Sequence, residues 1–337
     1  MKKRILAIVL ACALLLAVAA GCAQNNASSA AQSSAAEKTK ITFVLDWTPN
    51  TNHTGLYVAK KNGYFADAGL DIEIVQPPED GAEIMVGAGK AQFGVSFQDS
   101  VIPYIAGDNK VPVTSVAAVV QHNNSGIISL KGMGMDKPKG LEGKKYATWD
   151  LPIEKAMLKS VVEADGGDFS KVQLIPSTVT DEVSALQTGQ VDAIWVFYGW
   201  AGVATEQAEL ATDYFAFKDI DPVFDYYTPV IIGNTDWMSA NPETAKKFLS
   251  ALKKGYEFAA EKPEESAEIL LEYAPELDSK LVKASQLYLS KEYKSEAESW
   301  GKIDPARWNA FYNWVNENKL FEAQIPENTG FTNDYLE

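Results

Sequence analysis

The sequence predicts an α/β protein of two similar lobes that close on a hinged cleft, and three observations predict it. Strand-like and helix-like segments alternate from Ile41 onward, a pattern that builds mainly parallel sheets with helices on both faces. A helix, glycine, strand sequence occurs twice, from Ile84 to Ser96 and from Val183 to Val196, which suggests two lobes of similar build. About 300 residues follow the N-terminal leader, enough for two cores of ordinary domain size.

The elements follow in order. Ile41 to Leu45 is a strand, Gly55 to Lys61 a helix, Leu70 to Val75 a strand, Asp80 to Gly87 a helix and Gln92 to Ser96 a strand, with Gly63 and Gly69 where turns need them. The apolar runs Pro112 to Val120 and Ile127 to Leu130 are separated by the polar segment from Gln121 to Gly126. The second set is Lys145 to Thr148, a helix from Ile153 to Glu163, Val172 to Ile175, a helix from Asp181 to Gln187, and Val191 to Val196. A last strand, Val230 to Ile232, precedes helices. The first of these begins at Asn241-Pro242-Glu243, with Asn241 as its cap, and buries Phe248, Leu252 and Phe258. Helices near Glu264 to Glu272, Ser279 to Leu289 and Pro305 to Asn318 complete the chain, the last with a core stripe of Trp308, Phe311, Tyr312 and Val315. Crossovers are expected near Gln121 to Gly126 and Tyr226 to Val230. They divide residues 40–123 and 230–337, lobe one, from residues 124–229, lobe two. Ligands of such folds bind where the carboxyl ends of parallel strands face the cleft.

The N-terminus reads as an export signal over residues 1–21. Lys2, Lys3 and Arg4 precede an apolar run from Ile5 to Ala20, short for a membrane span, and Gly21-Cys22 ends it. Ala19-Ala20-Gly21 before Cys22 resembles a bacterial lipobox and makes Cys22 the expected lipidation site. Residues 22–39, rich in Ala, Ser, Gln and Asn, are expected to form a flexible tether. Removing residues 1–21 takes away three positive charges and no negative one, so the net charge falls from -15 to -18. Such a surface repels nucleic acid. Cys12 leaves with the signal, so no disulfide and no cysteine metal site is expected.

The segment from Leu45 to Gly55 is furnished beyond the needs of a turn. Pro49 and Asn50 suit a connection, but Asp46, Trp47 and His53 are not required by one. It reads either as a binding loop or as a helix start, with Thr54 as N-cap and Trp47 as a core plug.

Together with Gly63-Tyr64-Phe65, Gly69-Leu70-Asp71, the run from Gly87 to Gly94 and Asp225 to Val230, the segment FVLDWTPNTNHTGLY from Phe43 to Tyr57 resembles the substrate-binding proteins of ABC importers. More narrowly it is similar to their thiamine-pyrimidine branch, related to pyrimidine synthases. The resemblance spans about residues 40–337 and implies a two-lobed type II periplasmic-binding-protein fold with a hinged cleft and C-terminal helices. It further implies a monomeric, lipid-anchored, extracytoplasmic protein of the bacterial cell membrane, which captures a thiamine-related aminopyrimidine and delivers it to a permease and its ATPase. It implies no enzyme activity, no cofactor and no metal. Alternatives are a binder of riboflavin or another flat heteroaromatic, and a synthase-type enzyme. Against the last, Ser96 and Ser100 stand where the synthases carry Lys and His, and Tyr226-Tyr227-Thr228 stands where they carry a cysteine-rich cluster.

A flat heteroaromatic ligand needs aromatic plates and polar partners. The predicted strand ends supply Asp46, Trp47, Asn50 and His53, then Gln98 and Asp99, then Trp149, then Tyr198 and Trp200. Trp47 and Tyr198 are expected to sandwich the ring, with Trp200 as a third wall. Asp46 or Asp99 would accept from an exocyclic amine, and Asn50, His53 or Gln98 would meet ring nitrogens. Asp99 serves equally as a helix N-cap, His53 as a fastener of its own loop, and Trp195 reads as core. Of Tyr226 and Tyr227 at the return crossover, Tyr227 is taken as a site wall. Binders of a formylated aminopyrimidine place a Glu after the lobe-two strand, whereas this chain has Val196-Phe197-Tyr198-Gly199-Trp200, with the nearest Glu at Glu206.

Overall fold

A computed structural model describes residues 38–106, 110–177 and 179–336. The expected signal peptide, most of the tether and Cys22 lie outside the described residues. The chain begins with β1 (Thr39–Val44), α1 (Thr54–Lys61), α2 (Tyr64–Asp67), β2 (Leu70–Val75), α3 (Ala82–Gly87), β3 (Phe93–Ser96), α4 (Ile102–Ile105) and β4 (Val113–Ala118). It then builds β5 (Ser125–Leu130), β6 (Lys145–Thr148), α5 (Pro152–Ala164), β7 (Gln173–Pro176), α6 (Glu182–Gln187), β8 (Ala193–Phe197), α7 (Val203–Gln207), β9 (Thr212–Ala216) and α8 (Phe217–Ile220). It returns through β10 (Val230–Asn234) and ends with α9 (Thr235–Ala240), α10 (Pro242–Glu261), α11 (Pro263–Tyr273), α12 (Ser279–Glu292) and α13 (Pro305–Glu317).

Two five-stranded sheets result, in the orders β2-β1-β3-β10-β4 and β7-β6-β8-β5-β9. They correspond strand for strand. In each, one strand, β10 or β5, runs against the others, and it is the strand the chain enters from the other lobe. This fixes the direction of everything else. A short crossover joins the carboxyl end of β4 to the amino end of β5, so both ends lie between the lobes; β1 and β3 share the direction of β4, and β6 and β8 oppose β5. The carboxyl ends of β1, β3, β6 and β8 therefore all face the inter-lobe side.

The sheet of lobe one packs its Phe43 and Phe93 against Phe248 of α10, with ring centroids 6.0 and 4.1 Å apart. The expected stripe on α10 is present as buried Phe248 and Leu252 and partly buried Phe258, and Trp308, Phe311, Tyr312 and Val315 of α13 are buried as expected. Asn241 departs from expectation. Its side chain donates back to Trp237 O at 2.9 Å and closes the end of α9, while its carbonyl, not its side chain, receives the first N–H groups of α10. Helix α1 crosses α10 closely, because a Cβ on Gly55 would lie 2.2 Å from Tyr256 Cγ and one on Gly255 would lie 2.0 Å from Gly55 O. Bare backbone is needed at both positions.

Candidate functional site

The loop after β1 is tied down from within. Asn50 caps a 3-10 turn at Thr51–His53 by accepting from Asn52 N at 2.9 Å, and its own N–H donates to His53 Nδ1 at 3.2 Å. With Nδ1 an acceptor, the ring proton sits on Nε2 and is donated to Asp46 Oδ1 at 2.6 Å. Asn52 O accepts from Tyr256 of α10 at 2.7 Å. Asn50 and His53, expected to meet ring nitrogens, are buried and spend their polar atoms on the loop itself. The helix-start alternative does not hold either. Thr54 Oγ1 makes no cap bond, and Trp47 is 54% exposed rather than a core plug.

The loop after β6 has the same plan with different chemistry. Glu154, buried in the first turn of α5, accepts from Tyr146 Oη at 2.8 Å, Trp149 N at 3.1 Å, Thr148 Oγ1 at 3.0 Å and Leu151 N at 3.2 Å. Four donors converge on one carboxylate, which holds the loop while leaving Trp149 44% exposed. Asp150 in the same loop has φ of 64°, a backbone region disfavoured for a residue with a side chain. Trp47 and Trp149 thus occupy equivalent places, each an exposed ring beyond the carboxyl end of the second strand of its sheet.

Beside β1 and β6 in the two sheets lie β3 and β8, and just past β3 and at the end of β8 the lobes touch through Phe97 and Phe197, stacked with centroids 5.7 Å apart and planes 16° apart. Gln98 is consumed by structure. It donates to Trp308 O at 2.9 Å and accepts from Tyr227 N at 2.9 Å, so this expected ligand contact instead ties β3 to the return crossover and α13. Asp99 is not a helix cap, since α4 has Val101 at that position. Its Oδ1 is buried without a hydrogen-bond partner, and burial pushes its pKa up to about 6, with Glu83 adding repulsion and the backbone N–H groups of Asp99 and Ser100 offsetting part of it. Burial also raises Glu83, which accepts a short hydrogen bond from Ser96 Oγ. Trp195 of β8, expected as core, is only 6% exposed, yet its Nε1 is buried and unpartnered.

Tyr198 and Trp200 belong to a single π turn, Tyr198–Gly202. The Tyr198 hydroxyl donates to Glu206, and its ring packs on Tyr214 and Tyr288 with centroids 4.7 and 5.5 Å away. Trp200 packs against the cluster that contains Leu289 and Tyr293. Both rings are therefore engaged at the seam with α12. Tyr227, expected as a site wall, is buried: its hydroxyl accepts from Asp304 N at 2.9 Å and Arg307 lies 5.1 Å over its ring.

The two crossovers are stitched to each other. Val119 N donates to Pro229 O at 3.0 Å and Asn123 N to Asp225 Oδ1 at 2.9 Å. His122 reaches Asp225 at 2.6 Å through Nδ1 and Glu296 at 2.9 Å through Nε2, and Arg307 stands 3.8 Å from each of these carboxylates. Burial pulls the imidazole pKa down, but the bonds to Asp225 and Glu296 outweigh it and the net direction is up. Sequence reading missed Glu154 and the His122 clasp. The first resembles any acid in a first helical turn, and the second joins segments about a hundred residues apart.

A scan of family models matches the family described as "NMT1/THI5 like" over residues 50–266. Among curated proteins, the formylaminopyrimidine-binding protein of Halalkalibacterium halodurans is 31% identical, over 95% of this chain and 96% of that one. The 4-amino-5-hydroxymethyl-2-methylpyrimidine phosphate synthase THI13 of Saccharomyces cerevisiae is 27% identical over 88% of each. Among solved structures, the periplasmic nitrate-binding protein NrtA from Synechocystis PCC 6803 superposes with a TM-score of 0.67 at 14% identity, covering 89% of this chain and 87% of that one, which shows the shared two-lobed fold. With the matched stretch running from the tied loop at Asn50 through the whole of lobe two into α11, the chain belongs to the NMT1/THI5-like family.

Proposed function

We propose that the protein is the extracytoplasmic substrate-binding component of an ABC importer and captures a thiamine-related aminopyrimidine between its lobes for delivery to a permease and its ATPase. One observation carries the reading: Trp47 and Trp149, two exposed rings at equivalent strand ends of the two sheets, each on a loop held by its own buried hydrogen-bond network. Exposed indoles cost hydration unless something covers them, and a flat ring between two such plates gains about 1 kcal/mol from each beyond simple burial. Tyr198, whose ring is already packed, serves as a side wall with Trp200. The name of the Halalkalibacterium halodurans relative points to the aminopyrimidine class. Residues 40–123 and 230–337 form one lobe in this reading and residues 124–229 the other, with a monomer tethered by lipid on Cys22.

Binding rather than synthesis is favoured by Ser96, whose hydroxyl is committed to Glu83 and offers no amine for a covalent intermediate. Riboflavin is the second reading, because Glu206, the acid nearest in sequence to the end of β8, already accepts from the Tyr198 hydroxyl, and no Glu stands directly after β8 to meet an aminopyrimidine edge. Native mass spectrometry of the purified protein, followed by thermal-shift titration with N-formyl-4-amino-5-aminomethyl-2-methylpyrimidine and with riboflavin, tests both. Stabilisation by the first alone is expected. Stabilisation by riboflavin alone selects the second reading, and stabilisation by neither overturns both.

A further inference from the structure

Among the described residues, the buried side-chain atoms without a hydrogen-bond partner are mostly hydroxyl oxygens, which a rotating proton or a small shift can satisfy. Two are not. Asp99 Oδ1 is a carboxylate oxygen that can only accept while ionised, and Trp195 Nε1 is an indole N–H that can only donate. Asp99 as a residue is half-buried and Trp195 is 6% exposed, but leaving either of these two buried atoms unmet costs about 1–3 kcal/mol. They occupy related places. Asp99 follows Phe97 by two residues at the carboxyl end of β3, and Trp195 precedes Phe197 by two in β8, so each is on the chain segment that carries one ring of the pair through which the lobes meet. Trp195 and Phe197 share one face of β8 because strand side chains alternate. The exposed Trp149 ring lies 5.8 Å from Trp195, which puts the indole behind a proposed plate. No cation is among the groups that perturb Asp99; its charged neighbour is Glu83, with Tyr226 and Tyr312 close enough to feel its charge.

We propose that Asp99 and Trp195 are the specificity-determining pair of the cleft, one from each lobe: Asp99 accepts a hydrogen bond from the ligand and Trp195 donates one to it. The ligand class that fits is a flat heteroaromatic whose edge offers a donor beside an acceptor, such as the exocyclic amine and ring nitrogen of an aminopyrimidine. An anion is a poor fit, because Asp99 and Glu83 both repel it. Because the acceptor stands in one lobe and the donor in the other, a ligand meets both only when the lobes are together. The inference rests on the aminopyrimidine reading for its ligand, but the donor and acceptor requirement stands apart from it.

The test is calorimetric titration of wild type, Asp99→Asn and Trp195→Phe with N-formyl-4-amino-5-aminomethyl-2-methylpyrimidine, its analogue lacking the 4-amino group, and riboflavin. Each variant is expected to bind the aminopyrimidine about tenfold more weakly. Trp195→Phe keeps a ring against Phe217 and removes an unmet donor, which offsets part of the cost of the smaller side chain, so its ligand-free thermal midpoint is expected to stay close to that of wild type, and this separates lost contact from lost fold. The analogue lacking the amine is expected to bind wild type and Asp99→Asn alike. Wild-type binding of the aminopyrimidine with both variants unchanged overturns the pair and leaves the function standing. If wild type takes only riboflavin, the aminopyrimidine reading fails and the pair is judged by the same variants, a tenfold loss supporting it and no loss overturning it. Binding of neither probe overturns both.

Discussion

His122 Nδ1 in the outgoing crossover lies 2.6 Å from Asp225 Oδ2 in the returning one, so the two strands that join the lobes are clasped by a charge-assisted bond. The same ring reaches Glu296 at 2.9 Å, and Arg307 and Glu292 also bear on the group. Both ring nitrogens facing carboxylates is the geometry of an imidazolium.

The clasp makes stability depend on pH. The folded pKa of His122 is raised above its ordinary 6.5, so its contribution is full below 6.5 and is lost as pH rises through the folded value. Glu296 is lowered from 4.5 to about 2, chiefly by the bond from His122, so its part is present above 4.5 and is lost as pH falls toward 2. His122→Asn is expected to cost about 1 kcal/mol between these limits, discounted for the exposure of Glu296. Thermal unfolding of both proteins at pH 5.5 and 9 checks this. A gap that does not shrink at pH 9 contradicts it.

Trp47→Ala and Trp149→Ala are each expected to weaken binding of the formylaminopyrimidine at least about fivefold. The thermal midpoint of ligand-free Trp47→Ala should stay near that of wild type, since an exposed side chain away from structural bonds shifts stability by about 0.5 kcal/mol or less. Calorimetry beside a melting curve reads both quantities, and unchanged affinity in both variants sinks the plates.

Glu154→Ala should behave in the opposite way. It strips an acceptor from four donors in a buried site, so a loss of about 2–4 kcal/mol in stability is expected together with weaker binding, as the Trp149 loop loses its support. Chemical denaturation measures the first effect. A stable variant with a disordered loop would show instead that α5 holds without the carboxylate.

Gly55→Ala places a methyl group inside the Tyr256 ring and forces α1 from α10, at a cost of about 1–3 kcal/mol or more. Because Tyr256 also donates to Asn52 O, the Trp47 loop should move with it. A variant with wild-type denaturant midpoint refutes the close packing.

The sequence by itself determined the order of strands and helices, the core stripes on α10 and α13 and the placing of unusual side chains at strand ends, because these are carried by local periodicity and turn chemistry. The short strand β9 escaped it, since Thr212–Ala216 lacks a long apolar run. Which polar side chain would meet which partner was not legible. Gln98 and Trp308 are 210 residues apart, and nothing near Gln98 announces that its amide will be consumed there. His53 could have been ligand or fastener until Asn50 and Asp46 were seen on its two nitrogens. Tertiary structure alone decided that Glu154 would gather four donors and that Asp99 Oδ1 and Trp195 Nε1 would be left with none. Burial leaves a periodic trace along the chain, whereas hydrogen-bond pairing depends on which distant segments the fold brings together.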